Sequence, residues 1–144
     1  MLNVEPELYC LKLTFQDYGF NTDVLLIPSQ DSHLELMSNS IELIRSMDND
    51  RNLFILYYAG HVRINSERQA EWTCTRNPNY ASVNGYAIQK LFKNTKSDVL
   101  ILLDTCAAAS ATMRSQNGIM EAIIAYGFES RAPPPQEYSS QYPD

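Results

Sequence analysis

Leu100-Ile-Leu-Leu-Asp-Thr-Cys106, with the small residues Ala107, Ala108 and Ala109 behind it, decides how this chain is read. An aliphatic run ends on an acid, a hydroxyl and a thiol in succession. A second stretch answers it: Leu53-Phe-Ile-Leu-Tyr-Tyr-Ala-Gly-His61 is another apolar run, ending in a turn glycine and one of only two histidines. Continuous apolar runs of this length, bounded by polar segments, read as strands buried on both faces of a parallel sheet. Ligands of such sheets sit at the carboxyl ends of the strands, so His61 and Cys106 form a candidate pair at one edge.

Working outward, Leu8, Leu11, Phe15 and Tyr18 recur at helical spacing over residues 5 to 18, with Pro6 tolerable in the first turn and Gly19 where a helix stops. Its apolar stripe is expected to face the sheet. Val24-Leu-Leu-Ile27, closed by Pro28, reads as a short strand. Ser32 and Glu35 match the S-x-x-E capping box, and Leu34, Met37, Ile41, Ile44 and Met47 continue at three and four residues as a helix. Asp48 to Asn52 reads as a turn. The polar stretch from Arg63 to Asn79 reads as a long loop at the carboxyl edge of the sheet, a place where function concentrates. Ala87, Ile88, Leu91 and Phe92 mark an amphipathic helix over about residues 84 to 95. The resulting alternation of strand and helix specifies a parallel α/β sheet with right-handed crossovers. After Cys106, residues 107 to 117 read as a loop and Ile119 to Phe128 fits helix or strand equally. The tail from Ala132, with three consecutive prolines, reads as extended and poorly ordered. One domain over residues 1–131 and a tail over 132–144 follow.

The chain has 144 residues and carries a net charge of −6, with its basic residues scattered, which argues against a nucleic-acid or anionic-membrane surface. No apolar run reaches the roughly 18 residues of a spanning helix, and the N-terminus lacks a signal core, so a soluble cytoplasmic protein is expected. Cys10, Cys74 and Cys106 are an odd number without CxxC spacing, which suits a reducing compartment. Neither histidine has a cysteine at zinc-finger spacing, and no glycine-rich phosphate loop is present; no metal and no cofactor are expected.

A thiolate generated and held by an imidazole is a minimal covalent catalyst for acyl transfer. The pattern alone also allows Cys106 to be a buried small hydrophobe and His61 a core histidine. Asp104 is harder to place in a core, because a carboxylate after an aliphatic run needs a hydrogen-bonding or charged partner. His33 reads as a solvated first-turn residue, and Cys10 and Cys74 as packing residues. A phosphatase loop is excluded: the arginine it needs six residues after Cys106 is replaced by Thr112.

LFILYYAGH (53–61) and LILLDTCAAAS (100–110) resemble the His-box and Cys-box of caspase-like cysteine peptidases, the caspase and metacaspase superfamily, and most closely the fungal caspase-like domains. Tyr18-Gly-Phe20, Ile27-Pro-Ser29, Arg68 to Trp72, Ser97 to Leu100 and Tyr126 to Glu129 with Ala132-Pro133 fit the same likeness. The resemblance implies a three-layer α/β/α fold with a mainly parallel sheet, incomplete at both ends relative to the full domain. It implies His61 as general base, Cys106 as nucleophile and Asp104 in a substrate pocket favouring Arg or Lys. The oxyanion donors it implies are the backbone N–H groups of Cys106 and Val62, the latter standing where the family has glycine. Two functions stay open: a cysteine endopeptidase acting on a peptide or protein substrate, and a catalytically inactive interaction module. Neither nucleic acid nor membrane is an expected partner; a homodimer formed through the incomplete sheet is.

Overall fold

A computed structural model of the chain describes residues 5–73, 79–105 and 119–126. Among the described residues three helices, α1 (Glu5–Asp17), α2 (Ser32–Met47) and α3 (Gly85–Lys93), accompany five strands, β1 (Leu53–Ile64), β2 (Ala70–Thr73), β3 (Ser82–Asn84), β4 (Asp98–Thr105) and β5 (Met120–Tyr126). They make a mixed α/β fold on one sheet of order β3-β2-β1-β4-β5. The two long ladders, β1 with β4 and β4 with β5, are parallel, while β2 and β3 form an antiparallel ribbon at one side.

The expected β1 and β4 are present, but they are buried on one face only. Along β4, Val99, Ile101, Leu103 and Thr105 are buried, whereas Leu100, Leu102 and Asp104 are partly exposed. Strand alternation sends the first set toward α2 and α3. There Phe54, Val62, Trp72, Val83, Ile88, Phe92, Val99, Ile101 and Leu103 form the core, with Phe54 and Phe92 meeting edge to face at 5.5 Å. Within the stretch that fits helix or strand equally by pattern, Met120–Tyr126 is a strand because β4 templates it. Asp98 Oδ1 accepts from the Ile119 N–H and Val99 donates to the Ile119 carbonyl, starting the ladder.

Several local expectations are corrected. Val24–Ile27 forms no strand, and Leu25 and Leu26 are exposed; a short apolar run becomes a strand only where a neighbour accepts its hydrogen bonds. The capping box of α2 does not form. Asp31, in the left-handed region at φ 50°, is the N-cap without a side-chain bond, and the Ser32 hydroxyl donates back to the Pro28 carbonyl instead. The stretch expected as a long loop contains an antiparallel hairpin: β1 runs on to Ile64, turns through Asn65–Gln69 and returns as β2. Asn65 Oδ1 accepts from the Glu67 and Gln69 N–H groups, Arg68 takes φ 62°, and Arg63 pairs with Glu71 at 2.6 Å. Polar residues on the wet side of that hairpin hid it. Helix α1 ends as expected, at Gly19 with φ 84°, but it buries no residue fully, and Cys10 on it is exposed rather than packed. His33 is half-buried with its Nδ1 lacking a partner among the described residues, not solvated. The loop after Cys106 and the tail lie outside the described residues.

Helix α2 is tied to the sheet by its C-cap. Asp48 Oδ1 accepts from the backbone N–H of Lys96 at 2.9 Å, the N–H of Ser97 at 2.9 Å and the Ser97 hydroxyl at 2.8 Å. Burial by itself would raise the Asp48 carboxyl, but the Lys96 amide and then the Ser97 hydroxyl and amide outweigh it and hold the value below 3.8. The unfolded chain therefore binds this proton more tightly than the folded one. The stabilisation is complete above about pH 4 and is lost as pH falls below it. Asp48→Ala is expected to destabilise the fold by about 1 kcal/mol at neutral pH. Urea melts at pH 7 and pH 3 check this, because the difference between parent and variant should shrink at the lower pH.

Candidate active site

The register of β1 against β4 sets the site. Their parallel pairs run from Leu53↔Asp98 to Gly60↔Thr105; His61 continues β1, and Cys106 follows Thr105 in the sequence. Asp104 pairs with Ala59, two residues before His61, so Asp104, Tyr57 and His61 belong to the same face of the sheet, opposite the α2 and α3 core. Both Asp104 and His61 are partly exposed there. Cys106, Cys74 and the Cys106 N–H lie outside the described residues.

The backbone bonds also orient Val62. The Asp98 N–H donates to the Asn52 carbonyl, so in the parallel ladder the even-numbered residues of β1 direct N–H and C=O toward β4. The Asn65 N–H donates to Gln69, so the odd-numbered residues direct theirs toward β2. Val62 is even, and its N–H faces the β4 side, two residues beyond Gly60 in the last described pair, Gly60↔Thr105. Its side chain is buried in the core and its backbone is not in the left-handed region. Valine therefore suits an extended strand here, where β-branching is favourable.

His61 is held by the tyrosine three residues before it. The Tyr58 hydroxyl lies 3.0 Å from the His61 carbonyl and 3.3 Å from that of Thr73, and it can donate to one at a time. Its ring stacks on Trp72 at 4.5 Å, which fixes where the hydroxyl points. Gly60 makes room for this arrangement: a Cβ there would stand 2.5 Å from the Tyr58 oxygen.

On the other face the Tyr57 hydroxyl lies 3.2 Å from Asp104 Oδ2 and 3.0 Å from Glu7 Oε1 on α1. This answers the expectation that Asp104 needs a partner. Loss of solvation, then the Glu7 hydrogen bond and the neighbouring negative charges of Asp104 and Glu7, push the Tyr57 phenol far above its usual value. The bridge also attaches α1 to the sheet.

No family model, curated protein or solved structure matches this chain. Among the described residues no cluster of His, Cys, Asp and Glu could hold a metal ion, and no helix is long and apolar enough to cross a membrane. Tyr57, Tyr58 and Glu7 were not singled out from sequence. Two adjacent tyrosines in an otherwise apolar strand were the available signal, since a half-buried phenol seeks a partner on each face.

Two outcomes follow. Gly60→Ala is expected to displace the Tyr58 ring and destabilise the fold by about 1–3 kcal/mol, measured by denaturant melts. Tyr57 binds its proton more tightly when folded, so its contribution is intact below the free value of 10.0 and lost as pH rises beyond it. Tyr57→Phe should therefore flatten the fall in melting temperature on the alkaline side.

Proposed function

We propose that the chain is a caspase-like cysteine endopeptidase built on His61 and Cys106, with a three-layer α/β/α arrangement of the full domain. One observation carries it: the last described pair of the parallel ladder, Gly60↔Thr105, immediately precedes His61 and Cys106 in the sequence, and Asp104, paired with Ala59, lies on the His61 face. Cys106 thiolate would attack a substrate carbonyl and form a C–S bond. The Val62 N–H, aimed to that side of the strand, and the Cys106 N–H would stabilise the oxyanion. His61 would protonate the leaving amine as the C–N bond breaks, and water would then hydrolyse the thioester. Asp104, a partly exposed carboxylate beside that route, favours an Arg or Lys side chain in the substrate.

A second reading is a caspase-like module without activity that binds partners; the engagement of Asp104 by Tyr57 favours it, since a basic side chain would have to compete for that carboxylate.

A peptidyl-arginine electrophile, mapped by mass spectrometry across Cys10, Cys74 and Cys106, separates the two. Selective labelling of Cys106 that His61→Ala slows by roughly 10³-fold is expected for the peptidase. Equal labelling of the three thiols, or none, would leave only the binding module. Asp104→Ala should abolish preference for the arginine probe over a neutral one, and an unchanged preference would refute that role.

A further inference from the structure

The His61 carbonyl and the Val62 N–H belong to one peptide unit. That unit is planar and trans, so its C=O and N–H point in opposite directions and turn together. Here the carbonyl faces the β2 side of β1 and the N–H faces the β4 side. Whatever fixes the carbonyl therefore aims the N–H. Two donors reach it. Counting back by twos from the bond between Asn65 and Gln69, His61↔Thr73 is a hydrogen-bonded pair of the antiparallel ladder, so the Thr73 N–H donates to the His61 carbonyl in the plane of the sheet. The Tyr58 hydroxyl approaches from the core face, 3.0 Å from that carbonyl and 3.3 Å from the Thr73 carbonyl, and the oxygen has a lone pair for each donor. A bond in the sheet plane leaves the peptide free to rock about the strand axis, and a second from outside the plane removes that freedom.

The hydroxyl is itself held in place. Tyr58 stacks on Trp72 with ring centroids 4.5 Å apart and planes 13° from parallel. A Cβ at position 60 would stand 2.5 Å from the hydroxyl oxygen, and Gly60 is not in the left-handed region, so its bare Cα serves this close approach and not a turn. We propose, on the peptidase reading given above, that Tyr58 is a positioning residue for the oxyanion hole: by holding the His61 carbonyl it aims the Val62 N–H at the substrate oxygen that gains charge when the Cys106 sulfur adds to the scissile carbonyl. Accepting the phenol's hydrogen bond also polarises the peptide and makes its N–H a stronger donor. Tyr58 acts on the peptide and not on the imidazole, so it bears on the oxyanion and not on the thiolate.

Tyr58→Phe in the whole chain keeps the ring and its stack and removes only the donor. With a peptidyl-arginine amide as substrate it should lower kcat about tenfold at unchanged KM, less than the roughly 10²–10³ that follows loss of a whole oxyanion donor, because the ladder bond remains. Alkylation of Cys106 by iodoacetamide, which forms no oxyanion, should stay within about twofold of the parent, whereas His61→Ala should slow both reactions. Should Tyr58→Phe not fold, Gly60→Ala, which pushes the hydroxyl aside, should show the same split between the two reactions. The peptide can also be watched directly, because His61-Val62 is the only His-Val step in the chain. With isotope labels in the histidine carbonyls and the valine amide nitrogens, a single carbonyl-to-amide NMR correlation arises. Its proton should move downfield when a peptidyl-arginine aldehyde adds to Cys106, the C–S bond forming and the aldehyde oxygen taking the charge. A folded variant with the parent's kcat, an equal fall in its iodoacetamide rate, or a Val62 proton that stays put in a parent that turns substrate over would overturn this inference alone. A parent without turnover would overturn the peptidase reading, and this inference with it.

Discussion

Eight consecutive parallel pairs between β1 and β4 are the constraint on which the rest of the structure depends. A parallel ladder has one register in which both strands present their apolar residues to the same side, because a slip of one residue would turn every side chain over. Here that register places Phe54, Leu56 and Tyr58 with Val99, Ile101 and Leu103 beneath α2 and α3. The same register sets the end of β4, Thr105, beside Gly60, one residue before His61. The site is thus a by-product of the core: whatever stabilises the packing of Ile88 and Phe92 on the sheet also holds His61 beside the end of β4.

The adjacent tyrosines of β1 divide the work between the two faces. Tyr58 points into the core side, stacks on Trp72 and braces the carbonyl of His61. Tyr57 points to the other side and bridges Asp104 to Glu7. One hydroxyl proton cannot serve both carboxylates at once, so this bridge is a weaker attachment than the Asp48 clasp, where one carboxylate accepts from two backbone N–H groups and shares the Ser97 hydroxyl with the Asn49 carbonyl. The difference matches the burial of the helices. α2 contributes buried residues and is capped onto the β4 entrance, whereas α1 buries none fully.

The antiparallel hairpin at β2 gives β1 its length. Beyond Thr105 the described part of β4 no longer supports β1, and β2 supports it instead from the other side. Among the described residues, His61 and Val62 follow the last pair with β4 and begin the pairs with β2. Strand alternation directs the N–H of Val62 toward the β4 side with its side chain in the core, which an extended, β-branched residue accommodates without strain.

The sequence by itself determined the strands and helices whose signals are local and redundant. The aliphatic runs of β1 and β4 and the periodic apolar residues of α2 and α3 mark their elements whatever surrounds them. It also exposed Asp104 as a carboxylate in need of a partner. Tertiary structure decided what depends on neighbours. Val24–Ile27 has a strand's composition but forms none, while Ala70–Thr73, in a largely polar stretch of sequence, forms a strand because β1 offers it an edge. Only β4 resolved β5 from a helix. The partners of Asp104 come from positions 57 and 7, joined by a contact that no spacing in the chain announces. Hydrophobic periodicity is written residue by residue, whereas a backbone hydrogen bond between strands needs two segments brought together, and folding alone selects which two.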